Sequence, residues 1–184
     1  YGAPNANGIY VISVPALSTL TIRRSRIVGT LIVQLGLTSS LQVRDEVNWE
    51  RGDGTLPTLI VSATALSSVS LTGSSNPLSE SALGVNFNPA STPYGGQSDT
   101  DTTDTYPTEV RGVVHISTLL ASVTVGQGFT LNGTLITEGS LTIDAGASFN
   151  YDATVLNNPP VPYQSGPASM MPVPGTWSWV PVQE

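Results

Sequence analysis

The chain contains no cysteine and no lysine, and charged residues make up only 10 % of it. The absence of cysteine excludes disulfide bonds and thiolate metal sites. The arginines number 6 against 13 acidic residues, and the resulting net charge of −7 argues against a nucleic-acid partner. The polar surface must therefore be built mainly from serine, threonine, asparagine and glycine. Many exposed extracellular proteins have such a surface.

The sequence also lacks a long apolar run. A membrane-spanning helix needs about 18 consecutive apolar residues, so no membrane span is predicted in this chain. The 184 residues suffice for one domain with a substantial core, and the hydrophobic content of 39 % is ordinary for a folded chain. Because the chain starts at Tyr1 rather than at methionine, a signal segment or membrane anchor could have preceded it.

The stretch from Leu119 to Val155 alternates between mostly apolar residues at odd positions and polar residues or glycine at even positions, with Leu120 and Ile136 as the exceptions among the even positions. This period of two predicts strand with one buried face. Fully extended, the stretch would reach about 120 Å at ~3.3 Å per residue, whereas a compact domain of this length has a radius of gyration near ~16 Å. The strand must therefore bend repeatedly while its odd positions stay in the interior.

Two architectures bend a strand in this way. A meander of hairpins would use Asn132-Gly133 as a two-residue turn, but the next turn signal, Glu138-Gly139, would leave a very short strand between them. A solenoid explains the glycine spacing better, because short strands meet at glycine corners and successive coils stack in parallel. We predict an all-β fold, a right-handed parallel β-helix, with the hand given by the rule for parallel crossovers.

The same parity returns in residues 20–49 and 59–71, and the segments 26–33 and 130–137 share the letters GTLI. We assign residues 1–156 to the β-solenoid domain. The polar, proline-interrupted stretch within it, residues 76–109, is predicted to be a long loop excursion.

A short helix is predicted over residues 79–84 of the excursion, with Ser79 as its cap and Gly84 as its stop. After the solenoid, residues 157–184 carry seven prolines and cannot form a central strand. This extended tail needs a surface to lie on, and we predict that Met171, Trp177 and Trp179 anchor it during assembly.

The excursion contains the acidic run Asp99, Asp101 and Asp104, whose spacing of two and three could wrap a hard cation such as Ca²⁺. A solvated acidic loop is the alternative. The arginines of RRSR (residues 23–26) could grip an anionic surface glycan, or they could meet acidic residues of a neighbouring coil. The single histidine, His115, has no nucleophile motif beside it and is expected to be structural.

Parallel β-helices often host enzymes that cleave polysaccharides, and such hydrolases need converging carboxylates. The candidates form the group Asp45, Glu46, Glu50 and Asp53. A salt-bridged, solvated edge of the solenoid is the alternative, and no catalytic residue is assigned. A carbohydrate-binding surface would also need stacked aromatic rings, for which the candidates are Trp49, Tyr94 and Tyr106.

Several stretches together carry a family resemblance: RIVGTLIV (26–33), VNWE (47–50), the run at 78–107, NNPP (157–160) and MPVPGTW (171–177). The chain resembles a group of uncharacterised exported proteins of planctomycete bacteria, similar to pilus-associated proteins with a pilin-like N-terminal helix. The resemblance covers most of the chain. It implies no enzymatic activity, and it implies an N-terminal anchoring helix ahead of the segment in hand.

These observations predict a structural, non-enzymatic subunit of an extracellular filament or cell-surface appendage. The terminal coils of a solenoid expose unpaired strand edges, and a second copy of the chain could cover them. No cofactor is required other than the candidate Ca²⁺. A carbohydrate-binding or carbohydrate-cleaving β-helix and a monomeric surface adhesin domain are the alternatives.

Overall fold

The computed structural model of the chain describes residues 8–164, except residue 53 and the segments 64–65 and 118–120. Most of this range is β-strand. The strands are β1 (Ile9–Val14), β2 (Thr19–Ile22), β3 (Ser25–Val28), β4 (Thr30–Leu35), β5 (Ser40–Val43), β6 (Val47–Glu50), β7 (Leu59–Ala63), β8 (Ser68–Leu71), β9 (Leu78–Ser79), β10 (Thr105–Tyr106), β11 (Glu109–Ser117), β12 (Ser122–Val125), β13 (Thr130–Thr137), β14 (Ser140–Ile143) and β15 (Ser148–Asn150). The helices are short: α1 (Glu80–Leu83), α2 (Ala153–Asn157) and a 3-10 turn (Val161–Tyr163).

Thirteen of the described strands build two parallel sheets, and β9 and β10 form a separate antiparallel pair. The larger has eight strands. Six follow the order β1-β4-β7-β11-β13-β15, while β6 pairs with the start of β11 and β3 pairs with β6. The smaller has five strands in the order β14-β12-β8-β5-β2. The chain passes back and forth between the sheets, and successive strands of each sheet pair in parallel. The expectation of an all-β fold with stacked parallel strands is confirmed.

The chain returns to the same position of a sheet after intervals of unequal length. Ser13 on β1 hydrogen-bonds Gln34 on β4, and Thr19 on β2 meets Ser40 on β5, each 21 residues further along, whereas the intervals from β4 to β7 and from β7 to β11 are longer. Parallel pairing nevertheless keeps like residues in register. Consequently the GTLI sequences at 29–32 and 133–136 fall at equivalent places, because parallel pairing connects Leu31 through β7 and β11 to Leu135.

The bends between strands depend on residues with positive φ. Leu17 (φ 60°), Thr38 (φ 56°) and Leu66 (φ 64°) occupy the bends after β1, β4 and β7. Left-handed backbone at a residue other than glycine costs about 1–2 kcal/mol. Its recurrence at equivalent bends indicates that the stacked strands impose the geometry.

The bend inside β13 requires glycine. Gly133 has φ 150° and lies against Gly112 of β11, where φ is 117°. A Cβ added at Gly133 would overlap the carbonyl oxygen of Gly112. Asn132-Gly133 is therefore not a hairpin turn but a corner within one continuous strand, as the solenoid interpretation predicts.

The core lies between the sheets, where interior side chains stack in columns along the strand order. One column runs through Leu41, Val69, Val123 and Leu141. Val123 is 1 % exposed, whereas Leu141 at the end of the same column is 41 % exposed. The predicted burial of odd positions in 119–155 is therefore confirmed for Ala121, Val123, Val125, Phe129, Leu131 and Val155. The odd positions from 133 to 139 and Ala147 are partly buried. The prediction is wrong for Gln127, Leu141, Ile143, Ala145, Phe149, Tyr151 and Ala153, which are exposed. Among the described strands, the last strand of each sheet has a neighbour on one side only, so correct orientation does not produce burial there.

Candidate functional site

The excursion, residues 76–109, forms a small lobe on the larger sheet. Its strands β9 and β10 pair antiparallel, with Leu78 opposite Tyr106. Helix α1 lies between them. Ser79 caps it by accepting a hydrogen bond from the N–H of Ala82, and Gly84 ends it in a left-handed conformation with φ 66°. The helix predicted over 79–84 is confirmed.

Arg26 on β3 attaches this lobe to the sheet. Its guanidinium donates hydrogen bonds to the backbone carbonyl oxygens of Phe87, Thr92 and Pro93 at 2.6, 2.7 and 2.8 Å. The side chain is only 2 % exposed. Hydrogen bonds from a charged donor are stronger than neutral ones, so a single side chain holds much of the loop that follows α1.

Aromatic rings enclose the same guanidinium. Arg26 lies over Tyr94 and Tyr106, with the guanidinium carbon 5.2 and 5.8 Å from the ring centroids. The two tyrosine rings pack edge to face at 4.8 Å, and Phe87 packs edge to face on Tyr106 at 6.1 Å. A desolvated cation over aromatic faces is stabilised by about 2 kcal/mol. This contact holds the aromatic residues of the lobe against Arg26 and therefore against β3.

Two arginines of the RRSR motif pair with acidic residues that lie on β6 or next to it. Arg24 reaches Glu46 at 3.8 Å and Arg26 reaches Glu50 at 3.4 Å. Of the two interpretations of the RRSR motif, pairing with neighbouring acids is therefore the one observed. Arg26 is enclosed and is not free to bind a glycan.

Glu80 at the start of α1 carries a buried carboxylate. It accepts hydrogen bonds from the N–H of Phe87, from the N–H of Asp104 at 3.2 Å and from the hydroxyl of Tyr106 at 2.8 Å. A buried charge is tolerated only with partners of this kind. The carboxylate joins α1, the loop after it and β10 into one unit.

Asp99 and Asp104 lie beside Glu80, and one oxygen of each carboxylate is within 4.8 Å of the others. The side-chain amide of Asn88 lies between the two aspartates, and its Nδ2 donates to Asp104 at 2.9 Å and to Asp99 at 3.3 Å. We name Glu80, Asn88, Asp99 and Asp104 the acidic cluster. Among the described residues, Glu80, Asp99 and Asp104 are the acids that converge closely enough to hold a metal ion.

Negative charges lie close together in the acidic cluster. Loss of hydration raises the pKa of Asp104, and the like charges of Asp99 and Glu80 raise it further, against the hydrogen bond from Asn88. The pKa of Tyr106 is also raised, first by burial and then by its hydrogen bond to Glu80. The negative charges therefore oppose one another at close range.

The predicted cation ligands divide into two groups. Asp99 and Asp104 belong to the acidic cluster, but Asp101 is exposed and accepts hydrogen bonds from the N–H and hydroxyl of Thr103 at 2.9 and 2.7 Å. These bonds lower the pKa of Asp101. Glu80 takes the third acidic position. The sequence did not predict that Glu80 lies beside the two aspartates, because this proximity depends on the pairing of β9 with β10.

The carboxylates considered for glycoside cleavage do not form a similar group in the described structure. Asp45 occupies a bend with φ 61°, and Glu46 and Glu50 pair with arginines. Asp53 lies outside the described residues.

Two of the three candidate aromatic residues are unable to stack on a sugar. Trp49 is buried in the core, where its Nε1 donates to the carbonyl of Gly29 at 3.1 Å, and Tyr106 is buried against Glu80. Tyr94 is half-buried.

His115 on β11 meets Tyr163 of the 3-10 turn. Its Nδ1 is hydrogen-bonded to the tyrosine hydroxyl, and the two rings pack edge to face at 5.5 Å. Burial raises the pKa of Tyr163. The contact fastens the end of the described chain to the larger sheet, which is the structural role expected of this histidine.

Interior apolar side chains are exposed at both ends of the sheets. At the first edge Tyr10 and Ile12 on β1 are exposed, although the residues paired with them on β4 are buried or nearly so. At the last edge Leu141 and Ile143 on β14 and Phe149 on β15 are exposed. We call these surfaces the first edge (β1 and β2) and the last edge (β14 and β15).

The predicted assembly residues Met171, Trp177 and Trp179 lie outside the described residues, as does all of the tail beyond residue 164. Within the described ranges, no helix has both the length and the apolar character needed to cross a membrane.

Comparison of the chain with protein-family models, with curated proteins and with solved structures gives no match. The resemblance to exported planctomycete proteins therefore stays a prediction.

Proposed function

We propose that this chain is a structural subunit of an extracellular filament or cell-surface appendage, built as a right-handed β-helix that stacks end to end with other copies. Support comes chiefly from the interior columns, which stay apolar up to the last strand although none of the described residues covers them there. A terminal coil that only faced water would gain no stability from Leu141, Ile143 and Phe149. Between the coils of two stacked copies, in contrast, the same side chains would be buried and would stabilise the contact.

The two edges are complementary in direction and register. In one column Leu20 of β2 leads through successive parallel pairs to Leu141 of β14. A second copy placed with its β2 beside β14 would continue this column without a break. Contact of one edge with the opposite edge of the next copy is heterologous, and such contacts generate open filaments unless the rotation closes a ring.

Backbone hydrogen bonding favours the same arrangement. Among the described strands, β2 ends the smaller sheet at the first edge, and β14 and β15 end the two sheets at the last edge. A strand at the end of a sheet presents backbone N–H and C=O groups that can pair with another chain. Stacking would satisfy these groups and cover the exposed apolar side chains together.

The tail is proposed to stabilise the stack by lying across the neighbouring copy. Its proline content favours an extended conformation, and a pre-extended segment loses less entropy on docking than a flexible one. Met171, Trp177 and Trp179 would each gain on the order of 1.5–3 kcal/mol from burial. Docking of the tail on its own sheets is the competing outcome.

Introducing a charge at the last edge tests the stacking. Leu141→Asp should leave a folded, β-rich protein, because the side chain is already 41 % exposed, but it should abolish filaments by placing a charge inside the contact. Thr142→Asp, the neighbouring outward residue, should still assemble. Electron microscopy and sedimentation at physiological salt or above, which screens the net charge of −7, measure the result. Equal assembly of the two variants would contradict the proposal.

Mixing two blocked variants tests the head-to-tail polarity. Leu141→Asp retains a usable first edge, and Leu20→Asp retains a usable last edge. Each alone should be monomeric, whereas an equimolar mixture should form dimers and stop there. If Leu20→Asp dimerises alone, the last edges pair with each other and the filament geometry is wrong.

Deletion of residues 165–184 tests the tail. The truncated protein is expected to keep its circular dichroism spectrum and its urea midpoint, because the two sheets and the His115–Tyr163 contact lie outside the deletion. It should no longer form filaments. Undiminished polymerisation would show that the tail does not hold the copies together, while the stacked edges would remain tested by the Leu141 variant.

A further inference from the structure

The acidic cluster contains a polar atom that lacks a partner. Asn88 is 3 % exposed, and no donor among the described residues reaches its Oδ1. A buried polar atom without a hydrogen bond costs about 1–3 kcal/mol. The amide that carries this atom projects between the carboxylates of Asp99 and Asp104.

The neighbouring amide, in contrast, is held in one orientation. Asn86 donates through Nδ2 to the carbonyl and carboxylate of Asp99 at 3.0 and 3.1 Å, and its Oδ1 accepts from the N–H of Asn88 at 2.8 Å. Asn88 has no such constraint on its oxygen. A half-turn of its amide would exchange Oδ1 and Nδ2. Its oxygen would then face the two carboxylates, an arrangement that a cation bound between them would stabilise.

We infer that the acidic cluster is a Ca²⁺ site, with carboxylate oxygens of Asp99, Asp104 and Glu80 and the rotated amide oxygen of Asn88 as its protein ligands. All of these are hard oxygen donors, which Ca²⁺ prefers. Ligands on opposite sides of Ca²⁺ lie about 4.6–5.2 Å apart at ~2.3–2.6 Å from the ion, and the three carboxylate oxygens lie within 4.8 Å of one another. Mg²⁺ would require a tighter cage.

Bound Ca²⁺ would relieve the mutual repulsion of the carboxylates and would stabilise the lobe. Glu80 already accepts two backbone N–H groups and the hydroxyl of Tyr106, so its position is set in advance. Asp99 is set by Asn86. The site therefore needs movement of one amide and little else, and it links the start of α1 to the segment that leads into β10.

The test uses the full chain treated with a chelator and then given Ca²⁺ alone. We expect the melting temperature to rise by several degrees in millimolar Ca²⁺ over excess chelator, because the ion binds the folded state only. Terbium(III), a Ca²⁺ surrogate, should luminesce on excitation of the aromatic residues, since Tyr106 touches the site, and Ca²⁺ should quench the signal by displacement. An unchanged melting temperature together with no terbium signal would overturn the inference.

Matched variants locate the site. Asp104→Asn should weaken Ca²⁺ binding at least tenfold, and it should raise the stability of the chelator-treated protein by removing one of the opposing charges, so that misfolding is not the cause. Asn88→Ala should weaken binding as well. Asp101→Asn should bind as the unmodified chain does, because Asp101 is outside the cluster. Loss of binding in Asp101→Asn with retention in Asp104→Asn would place the ion elsewhere and refute this ligand set.

Discussion

Replacing Gly133 by alanine is expected to lower the free energy of unfolding by on the order of 4 kcal/mol or to prevent folding. Gly133 has φ 150°, and an added Cβ would overlap the carbonyl oxygen of Gly112 on the adjacent strand. The obstruction is backbone, so no side-chain rotation relieves it. The strands β11 and β13 would have to separate at the bend where Gly133 lies against Gly112.

Gly96→Ala is the control for this variant. Gly96 also has positive φ, at 82°, but a Cβ there would meet nothing within 4 Å. It therefore isolates the conformational cost of about 1 kcal/mol from the overlap between strands. Urea unfolding followed by circular dichroism measures both variants. Equal losses would mean that backbone conformation alone, and not close stacking of the strands, explains Gly133.

Arg26→Met is expected to release the excursion from the larger sheet. The change removes hydrogen bonds to three backbone carbonyls, of which those of Phe87 and Thr92 are partly buried, and it removes the buried guanidinium that pairs with Glu50. Losing one partner of a buried charged network costs about 3–5 kcal/mol. Because the contacts are confined to one face of the lobe, we expect local opening: proteolysis within residues 85–104 should accelerate by orders of magnitude, while the parallel sheets stay folded.

Arg24→Met is the matched control, since it removes an arginine of the same motif that is exposed and pairs with Glu46 at 3.8 Å. A surface ion pair of this kind is worth at most about 1 kcal/mol. Its cleavage rate should remain near that of the unmodified chain. Cleavage of both variants at one rate would show that Arg26 does not anchor the lobe.

The sequence alone was sufficient for the features that depend on local order. The alternation of apolar and polar residues identified strands with one interior face, and the glycine at 133 identified a corner. Ser79 and Gly84 marked the ends of α1, because capping is decided within a few residues. Repeated interior parity also implied that successive strands stack in parallel.

Burial at the ends of the sheets could not be derived in this way. Leu141 and Val123 are both apolar residues at odd positions of the alternation, yet Leu141 is exposed and Val123 is buried. Only the number of neighbouring strands distinguishes them, and that number belongs to the assembled sheet. The exposed edges behind the proposed assembly are therefore a property of the whole fold.

The acidic cluster shows the same division. The spacing of Asp99, Asp101 and Asp104 identified the right segment, because carboxylates close in sequence are close in space. It misassigned Asp101, which bonds to its own turn, and it missed Glu80 and Asn88. These enter the cluster because β9 pairs with β10 and Arg26 draws the loop against the sheet. Contacts between residues far apart in the chain are decided by tertiary packing, since no local preference of either residue specifies its distant partner.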